Sequence, residues 1–150
     1  MTEVAFYHLT DTPLEATLPV MLERSLERGW RVRIRGVEMD RLGHLDRHLW
    51  SYTDTGFLPH GLANGKHDSA QPILLTDKAQ NDNSADVLML IDGASEDLHV
   101  FSDYKRVCIM FDGHDADAVA LARDQWKAVT ASKMSAAYWA QDNGKWVNKA

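Results

Sequence analysis

The sequence predicts a three-layer α/β domain with a mostly parallel central sheet, and three features carry that prediction. A strand, a capped helix and a second strand follow one another before Arg35. Two later apolar runs, 87–91 and 107–111, have the unbroken hydrophobicity of strands covered on both faces. A long amphipathic helix pattern follows the second run.

Glu3 to Leu9 reads as a short buried strand, with Val4-Ala5-Phe6-Tyr7 rich in strand formers. Thr12-Pro13-Leu14-Glu15 then signals a helix start: Thr12 as N-cap, Pro13 in the first helical position, Glu15 closing a capping box. Leu14, Leu18, Met21, Leu22 and Leu26 recur at helical spacing, and Gly29 marks the stop. Trp30, Val32 and Ile34 alternate with Arg31, Arg33 and Arg35, the pattern of a half-buried strand. Together these make a βαβ unit whose strands run parallel. Met39, Leu42, Leu45, Leu49 and Trp50 mark a second helix, and 51–71 is a connection containing Gly56, Pro59, Gly61 and Gly65. Pro72 to Thr76 is a strand, Lys78 to Ser84 a polar loop, Val87 to Ile91 and Val107 to Phe111 further strands, and Asp115 to Lys133 the third helix. Ala136 to Gln141 and Lys145 to Val147 flank Asp142-Asn143-Gly144, a closing hairpin or edge strand. Nothing in 1–150 resembles a linker, so one domain is expected.

Composition narrows the function. Sixteen basic against twenty-two acidic side chains give a net charge of −6, which argues against a direct grip on DNA, where neutralised phosphates supply most of the affinity. Cys108 is the single cysteine, so no internal disulfide forms, and no apolar run approaches the length of a membrane span. A cytoplasmic protein with no membrane contact is the expectation.

Few residues point to catalysis. The first strand is followed by His8-Leu9-Thr10-Asp11-Thr12-Pro13, without glycine to admit a pyrophosphate, and no Gly-Lys-Ser/Thr phosphate loop occurs. Asp92-Gly93 and Asp112-Gly113 each end an apolar run. They read first as turns, and alternatively as the carboxylates of a nucleotide- or metal-dependent enzyme. His44 and His48 have zinc-compatible spacing but lack an adjacent glutamate, so they read as solvated side chains, and Cys108 as a core thiol. No catalytic residue, metal or cofactor is therefore expected. Trp50 and Phe57 fit either a core or a partner-covered patch. Arg123, Trp126 and Lys127 share one helix face, either as a solvated basic edge or as a clamp for an acidic peptide.

The ordered series of short motifs adds a resemblance. Phe6-Tyr7-His8-Leu9, Leu49-Trp50, Phe57-Leu58-Pro59-His60-Gly61, Pro72-Ile73-Leu74-Leu75-Thr76, Val87-Leu88-Met89-Leu90-Ile91-Asp92-Gly93, Tyr104-Lys105-Arg106-Val107 and Ala122-Arg123-Asp124-Gln125-Trp126-Lys127-Ala128 occur in family order. In these the chain resembles the chi subunit of bacterial DNA polymerase III. The resemblance implies a Rossmann-like fold without a catalytic site of its own, and a clamp-loader-associated bridge between two partners. One is single-stranded DNA-binding protein, whose acidic tail ends in Pro-Phe and would meet Arg123, Trp126 and Lys127. The other is the psi subunit, an equivalent clamp-loader component or a competing helicase, which would meet Trp50 and Phe57. DNA would be contacted only indirectly. Gln125 and Thr130 depart from relatives that carry basic residues there, which implies a weaker pocket.

Overall fold

The structure is a computed structural model that describes residues 2–52 and 58–150. In chain order the elements are β1 (Glu3–Leu9), α1 (Leu14–Glu27), β2 (Val32–Arg35), α2 (Met39–Ser51), β3 (His60–Leu62), β4 (Ile73–Thr76), β5 (Val87–Leu90), α3 (Leu98–Phe101), β6 (Arg106–Asp112), α4 (Ala116–Ala131), β7 (Ser135–Asp142) and β8 (Lys145–Asn148). They form one eight-stranded sheet in the order β3-β4-β2-β5-β6-β1-β7-β8. Every neighbouring pair is parallel except β7 with β8, which closes the edge as an antiparallel hairpin. The expected three-layer α/β architecture is present, and the connection 51–71 also contributes the short strand β3.

Period-two side-chain alternation sorts the core onto two faces. Val87 and Met89 of β5 and Cys108 and Met110 of β6 pack with Leu14, Leu18 and Leu22 of α1 and Leu42, Leu45 and Leu49 of α2. Leu88 and Leu90, with Val107, Ile109 and Phe111, pack on the opposite side with Phe101 of α3 and Ala122 and Val129 of α4. Both faces of the central strands are covered, as their unbroken apolar runs require.

The helix signals played out unequally. Asp115 caps α4, accepting from the N–H groups of Asp117 at 3.0 Å and Ala118 at 3.3 Å, a contribution of about 1 kcal/mol. Gly29, at φ +77°, ends α1 as expected. The Trp30 N–H reaches Ser25 O at 3.0 Å and the Gly29 N–H reaches Leu26 O at 2.9 Å, the paired bonds of a Schellman ending. The expected capping box at Thr12 does not form. Helix α1 begins at Leu14 with Pro13 in the capping position and no side-chain cap. Thr12 Oγ1 instead meets Thr17 Oγ1 at 2.8 Å and accepts from Gln141, while Glu15 turns to Arg41.

The alternation in 30–35 misassigned one face. Strand β2 starts at Val32, and Arg33 is completely buried rather than solvated. Its guanidinium donates to Glu96 Oε1 at 3.2 Å and Oε2 at 2.5 Å, to the Tyr104 hydroxyl at 2.8 Å, and to the Lys78 carbonyl. The segment around α3 folds over this part of the sheet and supplies Glu96 and Tyr104. A four-residue helix inside a polar stretch leaves too short a pattern to read in advance.

Candidate functional site

Strand order places the first cavity. The chain leaves β1 toward β2 through α1 on one face, and leaves β6 across β1 to β7 through α4 on the other. Between these divergent connections, at the carboxyl ends of β1, β5 and β6, lies a cavity of about 750 Å3, the usual ligand position in a parallel α/β sheet. Asp92 and Asp112 both line it. Asp92 (φ 53°) and Gly93 (φ 85°) form a turn closed by the Ala94 N–H on Ile91 O at 3.0 Å, and the Asp92 carboxylate accepts from Arg41 Nε at 3.0 Å. Asp112 O accepts from the Asp115 N–H at 3.2 Å, and its Oδ1 accepts from the His114 N–H at 2.9 Å. Both Asp-Gly pairs therefore turn the chain.

Two features make this cavity hostile to a nucleotide. Asp11, Glu15, Asp92, Asp112, Asp115 and Asp117 outnumber the cationic Arg41 around it, so phosphate is repelled. In addition, the backbone cradle after β1 is already filled. The consecutive N–H groups of Thr10, Asp11 and Thr12 converge, as in an anion-binding nest, but onto Gln141 Oε1, at 2.9, 2.8 and 3.2 Å. Gln141 Nε2 donates to Thr12 Oγ1 at 2.7 Å, and the Gly144 N–H donates to Asp11 Oδ2 at 2.8 Å, so the β7–β8 hairpin is laced onto this loop. Local sequence gave no hint of Gln141, because its partners lie about 130 residues away.

One of the two helix histidines departs from expectation. His44 is exposed, but His48 is partly buried and donates through Nε2 to Glu15 O at 2.7 Å, tying α2 to α1. Among the described residues no group of three or more His, Cys, Asp or Glu side chains is gathered to hold a metal. Cys108 is buried in β6, where burial pushes its thiol up to about 12.

The basic face of α4 is open. Arg123 and Lys127, one helical turn apart, are both exposed, and among the described residues neither has a carboxylate within ion-pair distance. Between them Trp126 is half-buried, its indole edge-on to Phe6 at 5.3 Å and to Tyr138 at 5.8 Å. His8 Nδ1 and the Tyr138 hydroxyl are hydrogen-bonded at 2.8 Å, and the His8 ring lies 4.9 Å from Phe111. Burial holds the His8 imidazole below its ordinary value, with the positive charge of Arg123 a smaller contribution in the same direction. Burial likewise raises the Tyr138 phenol, while Arg123 pulls it down. Arg123 is thus electrostatically coupled to two polar groups of the sheet. The helix spacing brought Arg123, Trp126 and Lys127 together in advance. His8 and Tyr138 were missed, since neither lies near them in sequence.

Trp50 is 52% exposed at the end of α2, while Leu49 beside it is buried. Its ring lies 4.1 Å from that of His60, whose Nδ1 lies 2.6 Å from Leu58 O and whose Nε2 lies 3.0 Å from Asp46 O. Phe57, its expected neighbour, lies outside the described residues.

Comparison with known proteins bears on these surfaces. A family model described as "DNA polymerase III chi subunit, HolC" matches residues 1–137. A protein named probable DNA polymerase III subunit chi, from Rickettsia prowazekii (strain Madrid E), is 28% identical over 91 residues, 61% of this chain. The aligned region spans 55% of that relative's length. Strand β8 lies beyond the matched residues.

Proposed function

This chain belongs to the DNA polymerase III chi subunit family, accessory subunits of the replicative polymerase, and we propose that it acts without catalysis of its own as a bridge to single-stranded DNA-binding protein. In this reading the protein resides in the cytoplasm as one domain and grips the acidic, Pro-Phe-ended tail of that partner with α4. The observation that carries the proposal is the exposed Arg123–Lys127 pair flanking a half-buried indole. A terminal Phe presents a ring and a free carboxylate together, so its receptor needs an apolar wall beside a rigid donor fork. Trp126 supplies the wall. Arg123 supplies the fork, in which hydrogen bonds to a charged group contribute about 1.5–3 kcal/mol each. Lys127 adds a point charge toward the preceding acids.

The exposed Trp50 is the anchor we assign to the second partner, a psi-like clamp-loader component or a helicase. The enzyme alternative at Asp92 and Asp112 is weakened by the acidic lining and by Gln141 in the loop cradle. A short peptide held by few anchors should bind at about micromolar affinity, roughly −8 kcal/mol, and less tightly as salt rises. Isothermal titration with an acidic peptide ending in Pro-Phe tests the reading. Wild type should bind and Arg123→Ala should not, with unchanged thermal melting. A wild-type protein indifferent to high-micromolar peptide would sink the proposal.

A further inference from the structure

The structure assigns an anion-receiving site to the opposite face of the sheet, formed by Arg24, Arg28, Trp30 and Arg106, and we propose that it takes a short acidic peptide bearing a small apolar side chain. The site goes beyond the α4 reading and does not depend on it.

Three guanidiniums gather there. Arg28 and Arg106 lie over the same Trp30 indole, 4.9 and 5.4 Å from its centroid, and Arg24 joins them around a small cavity of about 100 Å3. Met21, Met89, Cys108 and Tyr7 give that cavity its apolar wall. The positive charge is poorly balanced. Among the described residues the one carboxylate within ion-pair distance of the three is Glu3, 3.7 Å from Arg106 and itself half exposed. Arg106 Nε is buried and, among the described residues, has no hydrogen-bond partner.

Attraction to the carboxyl end of α1 explains basic residues at positions 24 and 28. It does not explain Arg106, which arrives from β6, or its unsatisfied Nε. Stacking on Trp30 accounts for two guanidiniums but holds like charges against one ring, an arrangement that an incoming anion relieves.

The size and setting of the site select the ligand. A polynucleotide binds by neutralising many phosphates along a basic tract, whereas this chain carries −6 overall and Glu23 and Glu27 adjoin the arginines on α1. Three guanidiniums at a cavity on the scale of one side chain match one or two carboxylates with an apolar group between them. Arginine is the donor suited to such planar anions.

The test is a titration of the isotope-labelled full-length chain with acetyl-Asp-Asp-Asp-Leu bearing a free carboxylate, followed by NMR. The Trp30 indole N–H and the Arg106 Nε–H should shift saturably. The exposed substitutions Arg24→Gln and Arg28→Gln should each weaken binding about tenfold. Arg123→Gln should leave these shifts unchanged, which separates this site from the α4 surface. The proposal is overturned if the shifts cluster at Trp126 alone, if sodium chloride of equal ionic strength reproduces them, or if oligothymidylate moves Trp30 and the peptide does not.

Discussion

Removing the Glu96 carboxylate should be among the most damaging single changes to this protein. The carboxylate is 3% exposed and accepts from Arg33 at 2.5 Å and from Arg35 at 3.1 Å, while the Arg33 side chain is wholly inaccessible. In Glu96→Ala, Arg33 keeps the Tyr104 hydroxyl and the Lys78 carbonyl but loses the carboxylate that pairs with it among the described residues. Stranding one member of a buried pair costs about 3–5 kcal/mol. In a chain of 150 residues each kcal/mol lowers the melting temperature by about 2–4 °C, so a fall of about 6–20 °C is expected. Because desolvating the pair is itself costly, Arg33→Met combined with Glu96→Leu should recover most of that loss. Urea unfolding of the wild type, Arg33→Met, Glu96→Leu and the double variant completes the cycle. If Glu96→Ala costs less than about 1 kcal/mol, the range of a surface pair, water reaches Arg33 and the buried assignment is wrong.

Gln141→Ala strips the common acceptor from three amides. It should cost about 1–3 kcal/mol and speed hydrogen exchange at Thr10 and Asp11, and unchanged exchange would refute the cradle. A Cβ at Gly113 would overlap the His8 ring, which Tyr138 and Phe111 hold in place, so Gly113→Ala should destabilise by about 1–3 kcal/mol in chemical denaturation. Since burial lowers the folded-state value of His8, the unfolded chain protonates first on acidification. Its contribution to stability is complete above about pH 6.5 and lost as pH falls through the lower folded value, and His8→Gln should flatten that part of the stability profile. The Cys108 thiol, buried with its value pushed up to about 12, should resist a thiol reagent at neutral pH until the protein is unfolded, and fast native labelling would contradict its burial.

Most of the framework was legible along the chain because it rests on short-range signals. The unbroken runs at 87–91 and 107–111 became strands covered on both faces, the third helix pattern became α4, and Gly29 ended α1 with the expected geometry. The i, i+3, i+4 relation of Arg123, Trp126 and Lys127 follows from helix periodicity alone. Asn143 and Gly144, both with positive φ, form the turn that joins β7 and β8.

Contacts between distant segments were decided by the fold. Arg33 looked solvated because alternation records which side of a strand a residue takes, not whether another segment covers that side, and the stretch carrying Glu96 and Tyr104 does. Thr12 had a capping signature, yet the β7–β8 hairpin brought Gln141 within 2.7 Å and diverted its hydroxyl. Leu49 and Trp50 are adjacent and both apolar, but only Leu49 faces the sheet. Periodicity and caps act over a few residues and are encoded locally. Burial, charge pairing and cavity lining depend on which remote side chains arrive in the same place, and that information exists only once the sheet is assembled.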